Sequence, residues 1–218
     1  MHFQQSKFLT DESFNNLSDS VSRFYQVSKL EVHTDSMKKD NFTPAEGRYV
    51  PNLAVQKAKR VRFFCTGEDV EAQSAGFFGN AIMDPVRKIR TFLIEAGYPN
   101  IKLSNIWLQY GDTETEMHRH NDGIIKNSQP DKCFTSLLFC HKAWDDNWGG
   151  MFRIDYETAE SRKTYDFPAI PNDLLIWNRY HPHWMTPITQ PNVLRMFLGT
   201  RNNQYLAPSW RILLINVR

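Results

Sequence analysis

After Pro99 the chain changes character. From Lys102 onward it runs in short blocks rich in β-branched and aromatic residues, each closed by turn-forming residues, with no helical stretch between them. Strands are expected near 102–111, 116–122, 133–140, 150–156, 173–177, 182–187, 193–200 and 210–217. Many short strands without intervening helices have few stable arrangements. The one that best hides its sheet edges is an antiparallel double-sheet barrel of the jelly-roll type.

The first hundred residues follow another period. Phe14, Leu17, Val21 and Phe24 fall on one helical face, which predicts an amphipathic helix over roughly Asp11 to Gln26. Asp84 followed by Pro85 reads as an N-cap with proline in the first turn. Val86, Ile89, Leu93 and Ala96 then form a buried stripe, and Gly97 closes the helix. Residues 34–60, with Pro44, Gly47 and Pro51, read as a loop near a site. The expectation is therefore a mainly β protein with N-terminal helices (α+β). Residues 1–100 form a helical and loop support region, and residues 101–218 form the core of the same domain. The helices cover one sheet of that core.

Charge and cysteines narrow the functional classes. A formal net charge of +2 over 218 residues argues against a dedicated nucleic-acid or membrane-surface role. Lys57, Lys59, Arg60 and Arg62 do cluster, but Val61, Phe63 and Phe64 beside them read as an edge strand. Cys65, Cys133 and Cys140 are odd in number and lack CxxC spacing, so neither a disulfide framework nor a zinc knuckle is expected. Together with a polar N-terminus and no apolar run near the ~20 residues a bilayer requires, this predicts a soluble, cytoplasmic protein.

The chemistry-bearing residues lie in the β-rich half. His120 and Asp122 sit two residues apart at the end of an expected strand, a spacing that points both to one face. A later histidine, at 181 or 183, can complete a set of two imidazoles and one carboxylate. Such a set occupies one face of a ferrous ion and leaves the opposite face open. His118 and His120 form a competing pair. Asp122 is the better ligand on charge, because a carboxylate offsets the cation. His118 then falls on the same face as a neighbouring group. Arg195 lies in the apolar run Val193-Leu194-Arg195-Met196-Phe197-Leu198. A buried arginine needs an anion, and its planar fork matches a carboxylate.

These residues carry a resemblance. Gln109-Tyr110 through Gly123, Thr135-Ser136-Leu137-Leu138-Phe139, Trp144 with Trp148-Gly149-Gly150, and Trp177 through His181-Pro182-His183-Trp184-Met185-Thr186-Pro187 to Arg195 resemble the iron- and 2-oxoglutarate-dependent dioxygenases, in their prolyl hydroxylase-like branch. The resemblance covers about residues 102–200. It implies a double-stranded β-helix (jelly-roll, cupin-like) core, with His120, Asp122 and His183 as the Fe(II) ligands and Arg195 on the distal carboxylate of 2-oxoglutarate. Tyr110 would line the co-substrate pocket. Phe139 stands where that branch often has a tyrosine.

The implied activity is hydroxylation of an unactivated C–H bond with release of succinate and CO2, and ascorbate is implied as a reductant. The expected partners are 2-oxoglutarate, dioxygen and a prolyl residue of a protein or peptide. The alternatives are the same chemistry on a free amino acid, another small molecule or a nucleobase, and a non-catalytic β-helix binding module. Trp107, Trp177 and Trp184 are candidates for the pocket wall or the barrel core.

Overall fold

Alternation of apolar and polar residues builds two facing sheets in the computed structural model, which describes residues 2–27, 31–36, 55–62, 70–122, 128–157 and 161–205. In chain order the elements are β1 (His2–Gln5), α1 (Asp11–Val27), β2 (Glu31–Ser36), β3 (Val55–Arg62), α2 (Val70–Phe78), α3 (Asn80–Glu95), β4 (Lys102–Gly111), β5 (Glu116–His120), β6 (Ser128–Phe139), β7 (Phe152–Glu157), β8 (Arg162–Phe167), β9 (Leu174–Asn178), β10 (His183–Met185) and β11 (Arg195–Tyr205). Hydrogen bonding runs in the order β1-β9-β6-β11-β4-β3-β5-β10-β7-β8, with β2 on β3. Every named pairing is antiparallel. β3 bridges the two halves, pairing with β4 through Lys59–Arg62 and with β5 through Gln56 and Lys57. One sheet is thus β1-β9-β6-β11-β4 and the other β5-β10-β7-β8, as in a jelly roll.

The alternation produces two cores. Ile106, Leu108 and Tyr110 of β4, Leu138 of β6, Ile176 of β9 and Leu198 of β11 face outward and pack with Leu17 and Val21 of α1 and Ile82, Val86, Ile89 and Leu93 of α3. Trp107, Leu137, Phe139, Leu175, Trp177 and Phe197 face the other way and meet Phe152 and Ile154 across the barrel. The helices therefore act as a third layer on one sheet. No helix among the described residues is long and apolar enough to cross a membrane.

The helix boundaries follow local chemistry, with one correction. α1 matches its expected span. α3 starts at Asn80 rather than at Pro85, so Pro85 lies inside the helix and Asp84 is not its cap. Asp84 instead pairs with Arg87 one turn on, at 2.8 Å. The C-terminus behaves as expected. Gly97 adopts φ 99°, its N–H donates to Ile94 O, and Tyr98 N–H donates to Leu93 O. That paired closure requires a left-handed residue after the helix. Ala96, expected in the buried stripe, is exposed.

Strand expectations differ where burial overrides composition. β1, β2 and β8 were not anticipated. β8, Arg-Lys-Thr-Tyr-Asp-Phe, is an exposed edge strand with almost no apolar alternation to betray it. The expected loop at 34–60 contains parts of β2 and β3, and residues 37–54 lie outside the described residues. β3 is flanked on both sides and is not an edge. The strand expected at 210–217 also lies outside the described residues.

Candidate active site

Two segments of the smaller sheet, the end of β5 and the start of β10, converge on one point. β5 ends at His120, Asp122 follows, and β10 begins at His183, which pairs directly with His120. One ligand atom from each of His120, Asp122 and His183 lies within 4.8 Å of the others. The two imidazole centroids are 4.5 Å apart. His120 and His183 are 5% and 1% exposed, so the cluster is walled off by protein on most sides.

Both imidazoles are oriented by backbone. His120 Nδ1 lies 2.7 Å from His118 O, and His183 Nδ1 lies 2.8 Å from His181 O. A carbonyl only accepts, so each Nδ1 carries the proton and each Nε2 offers its lone pair. Burial, and then the neighbouring His120, push the His183 imidazole down to about 3, so it stays neutral and able to ligate. Burial pulls the Asp122 carboxyl upward. Arg201, His183, Arg179 and His120 together outweigh that pull and hold it well below the usual carboxylate range. Asp122 accepts from Thr135 Oγ1 at 2.8 Å and pairs with Arg201 Nη2 at 2.9 Å. An ionised carboxylate and two imidazoles on one side of a point suit Fe(II) with open positions opposite.

His118 is not part of this cluster. Between His183 and Met185 the pairing advances two residues on β10 but three on β5, from His120 to Met117. This bulge breaks the alternation, so Met117 and His120 both face the barrel while His118 is exposed. The expectation that His118 shares the face of His120 is therefore corrected. Arg119, also displaced by the bulge, donates to the fully buried Asp155 at 2.7 Å. His181 contributes its carbonyl, while its ring packs at a tilt against Tyr156, with centroids 4.1 Å apart.

Arg195 opens β11 on the barrel-facing side and is 1% exposed. Its Nη1 donates to Gly150 O at 2.7 Å, and its Nε is buried without a hydrogen-bond partner among the described residues. Burial lowers it to about 10, which leaves it protonated at neutral pH. No described carboxylate pairs with it. Leaving a cation buried without an anion is costly, so the position suits an anionic ligand. Two glycines cradle the guanidinium. A Cβ on Gly150 would stand 2.9 Å from Nη1, and one on Gly111 would stand 3.1 Å from Nη2. Gly150 also has φ 67°, and its N–H donates to Pro187 O. The Gly149-Gly150 pair seen in the sequence thus shapes the floor beneath Arg195.

Tyr110 does not line this pocket. Its register partner is Met196, on the helix-facing side of the sheet, whereas Arg195 and Phe197 face the barrel. Its hydroxyl donates to Val21 O of α1 at 2.8 Å, and its ring packs on Tyr25. Gln109, the register partner of Phe197, takes the inner position. The alternation of β4 decides this, because Trp107, Gln109 and Gly111 share one face. Trp177 and Phe152 flank His183 inside the barrel, at 5.1 and 5.7 Å between centroids. Trp107 is also internal. Trp184 instead lines a separate hollow of about 280 Å³ with Arg119 and Arg153. Sequence reasoning missed Arg201 and Arg179. Their only sequence signal was a basic residue in an otherwise apolar or turn context.

The comparisons with known proteins agree with this geometry. Residues 106–200 match the model of the 2OG-Fe(II) oxygenase superfamily. By sequence alone, no curated protein matches the chain. Among solved structures, a Pseudomonas putida prolyl-4-hydroxylase is similar at 12% identity, with a TM-score of 0.61 over 94% of this chain and 92% of that one. A Trichoplax adhaerens prolyl hydroxylase, solved with a hypoxia inducible factor peptide, is similar at 15% identity and TM-score 0.64, over 93% of this chain and 83% of that one. The epimerase SnoN from nogalamycin biosynthesis is similar at 8% identity and TM-score 0.64, over 96% and 82%. At such identities the likeness speaks for the fold. The matched stretch, residues 106–200, holds the His-Asp-His cluster, so this part of the chain is similar to the 2OG-Fe(II) oxygenase superfamily, enzymes that use Fe(II) and 2-oxoglutarate.

Proposed function

We propose that His120, Asp122 and His183 hold the ferrous ion, that Arg195 anchors the distal carboxylate of 2-oxoglutarate, and that the enzyme hydroxylates an unactivated C–H bond of a prolyl residue in a protein or peptide. The observation that carries the metal assignment is the convergence of three ligand atoms within 4.8 Å. With iron and 2-oxoglutarate bound, dioxygen can be spent on a C–H bond while succinate and CO2 are released.

The chain's own residues hold that chemistry in place. The carbonyls of His118 and His181 fix both imidazole planes, and Thr135 fixes the carboxylate. Phe152, Trp177 and Phe139 keep water from the inner wall. Residues 1–100 are read as a support region, because α1 and α3 share one core with the larger sheet.

The prolyl assignment is supported by the two prolyl hydroxylases of similar fold. The same chemistry on a free amino acid or other small molecule is the second reading, supported by the likeness to an epimerase of a biosynthetic pathway. A nucleobase belongs with that reading. The test of the machinery is succinate release from 2-oxoglutarate with Fe(II), compared between wild type and Asp122→Ala. Loss in the variant is expected, and equal release would overturn the metal assignment. Arg195→Gln should raise the 2-oxoglutarate Kd by about tenfold to a hundredfold, the worth of a charge-assisted pair. A prolyl peptide pool should gain one oxygen by mass spectrometry. An unmodified pool alongside an oxidised metabolite would favour the second reading.

A further inference from the structure

Asp122 faces more positive charge than it can balance. Arg201 Nη2 pairs with its Oδ1 at 2.9 Å, and Arg179 Nη2 donates to its backbone carbonyl at 2.7 Å. Both guanidiniums have a buried Nε without a hydrogen-bond partner among the described residues. No other described carboxylate pairs with either group. A ferrous dication, the Asp122 carboxylate, a dicarboxylate co-substrate and the Arg195 guanidinium sum to neutrality. Arg179 and Arg201 are then left in surplus.

The two differ in access. The Arg201 side chain is 30% exposed, against 8% for Asp122, so it stands between the carboxylate and solvent. Arg179 is 4% exposed and lies behind. The Arg201 guanidinium sits over the Trp107 ring, 5.4 Å from its centroid, which holds the planar fork in one orientation. Arg195 and Arg201 share the inner face of β11, six residues apart, or about 20 Å along the strand. The distal carboxylate gripped by Arg195 therefore does not also answer Arg201.

We infer that Arg201, backed by Arg179, is a specificity-determining residue that selects a substrate bearing a carboxylate close to the C–H bond to be oxidised. This rests on the proposed function and sharpens its substrate class. The carboxylate belongs either to the reacting residue itself or to an acidic neighbour in a peptide. A neutral peptide segment would leave the surplus charge unanswered.

The test uses the full chain with Mn(II) replacing iron and with 2-oxoglutarate bound. Calorimetric titration compares the N-acetyl amino acids, N-acetylproline among them, with their amides. N-acetyl-Asp-Pro-amide and N-acetyl-Asn-Pro-amide form the peptide arm. In wild type, at least one carboxylate probe should bind about tenfold or more tightly than its neutral counterpart, as expected of a charge-assisted hydrogen bond. Arg201→Gln should erase that difference, and Arg201→Lys should keep part of it. The arm that shows the preference identifies the source of the carboxylate.

The inference is overturned if no carboxylate is preferred across the set, or if the preference survives in Arg201→Gln. It is also overturned if Arg201→Gln weakens 2-oxoglutarate as much as Arg195→Gln does, since Arg201 then serves the co-substrate. Failure of wild type to bind Mn(II) and 2-oxoglutarate at all would instead reject the proposed function, and the inference with it.

Discussion

Tyr110 and His141 show how a single side chain is assigned by its face and its partners. Tyr110 is 0% exposed and spends its hydroxyl on a backbone carbonyl of α1. Tyr110→Phe should therefore cost about 1 kcal/mol of stability, the net worth of one hydrogen bond, and leave 2-oxoglutarate affinity unchanged. Chemical denaturation and a co-substrate titration on the same variant check both halves. A large loss of affinity would return Tyr110 to the pocket. His141 is buried between Ala169 O, which accepts from Nε2 at 2.6 Å, and Met196 N–H, which donates to Nδ1 at 3.3 Å. Burial pushes it down to about 4 from an ordinary value of 6.5. The folded state thus resists a proton that the unfolded state accepts. Its contribution is intact above pH 6.5 and declines as pH falls towards 4, by up to about 3 kcal/mol. The difference in unfolding free energy between wild type and His141→Gln should narrow over that window. A constant difference would contradict the assignment.

At the scale of elements, the bulge in β5 matters more than the strand itself. It turns Met117 and His120 inward together and sends Arg119 to Asp155. Asp155, on β7, is 0% exposed and holds Arg119, Arg162 and Thr164 at once. Burial raises its carboxyl, but the Thr164, Arg119 and Arg162 hydrogen bonds outweigh that and keep it below the ordinary value. This cross-link ties β5 to β7 one residue from a candidate ligand. Asp155→Ala should destabilise the fold by about 2–3 kcal/mol, near the low end for breaking a buried pair, because the arginines are partly solvated. It should also weaken Mn(II) binding several-fold. Thermal unfolding and metal titration measure the two effects, and an unchanged metal affinity would make the cross-link purely structural.

At the scale of the molecule, the two cores divide the labour. The helix-facing core packs α1 and α3 on the larger sheet, and the inter-sheet core lies beside the candidate site. A metal that binds only the folded chain should stabilise the whole. At a hundred times its Kd, Mn(II) should add about 2.7 kcal/mol, or roughly 5–10 °C in Tm for a chain of this size. Asp122→Ala should abolish that shift. Retention of it would move the metal elsewhere.

The sequence by itself determined the jelly-roll class, α1, the closure of α3 at Gly97, and the residue types of the His-Asp-His and Arg195 set. The fold elements follow from local rules, apolar period and turn chemistry, whereas the choice of His183 and the role of Arg195 rest on the family resemblance. Only the tertiary structure decided which faces were shared. A bulge in β5 excluded His118, and strand alternation sent Tyr110 to the helices. Long-range pairing brought Arg201 from the end of the chain to Asp122. The physical reason is that a one-residue change of register reverses the side of every side chain beyond it, and register is set by cross-strand contacts that no local window contains.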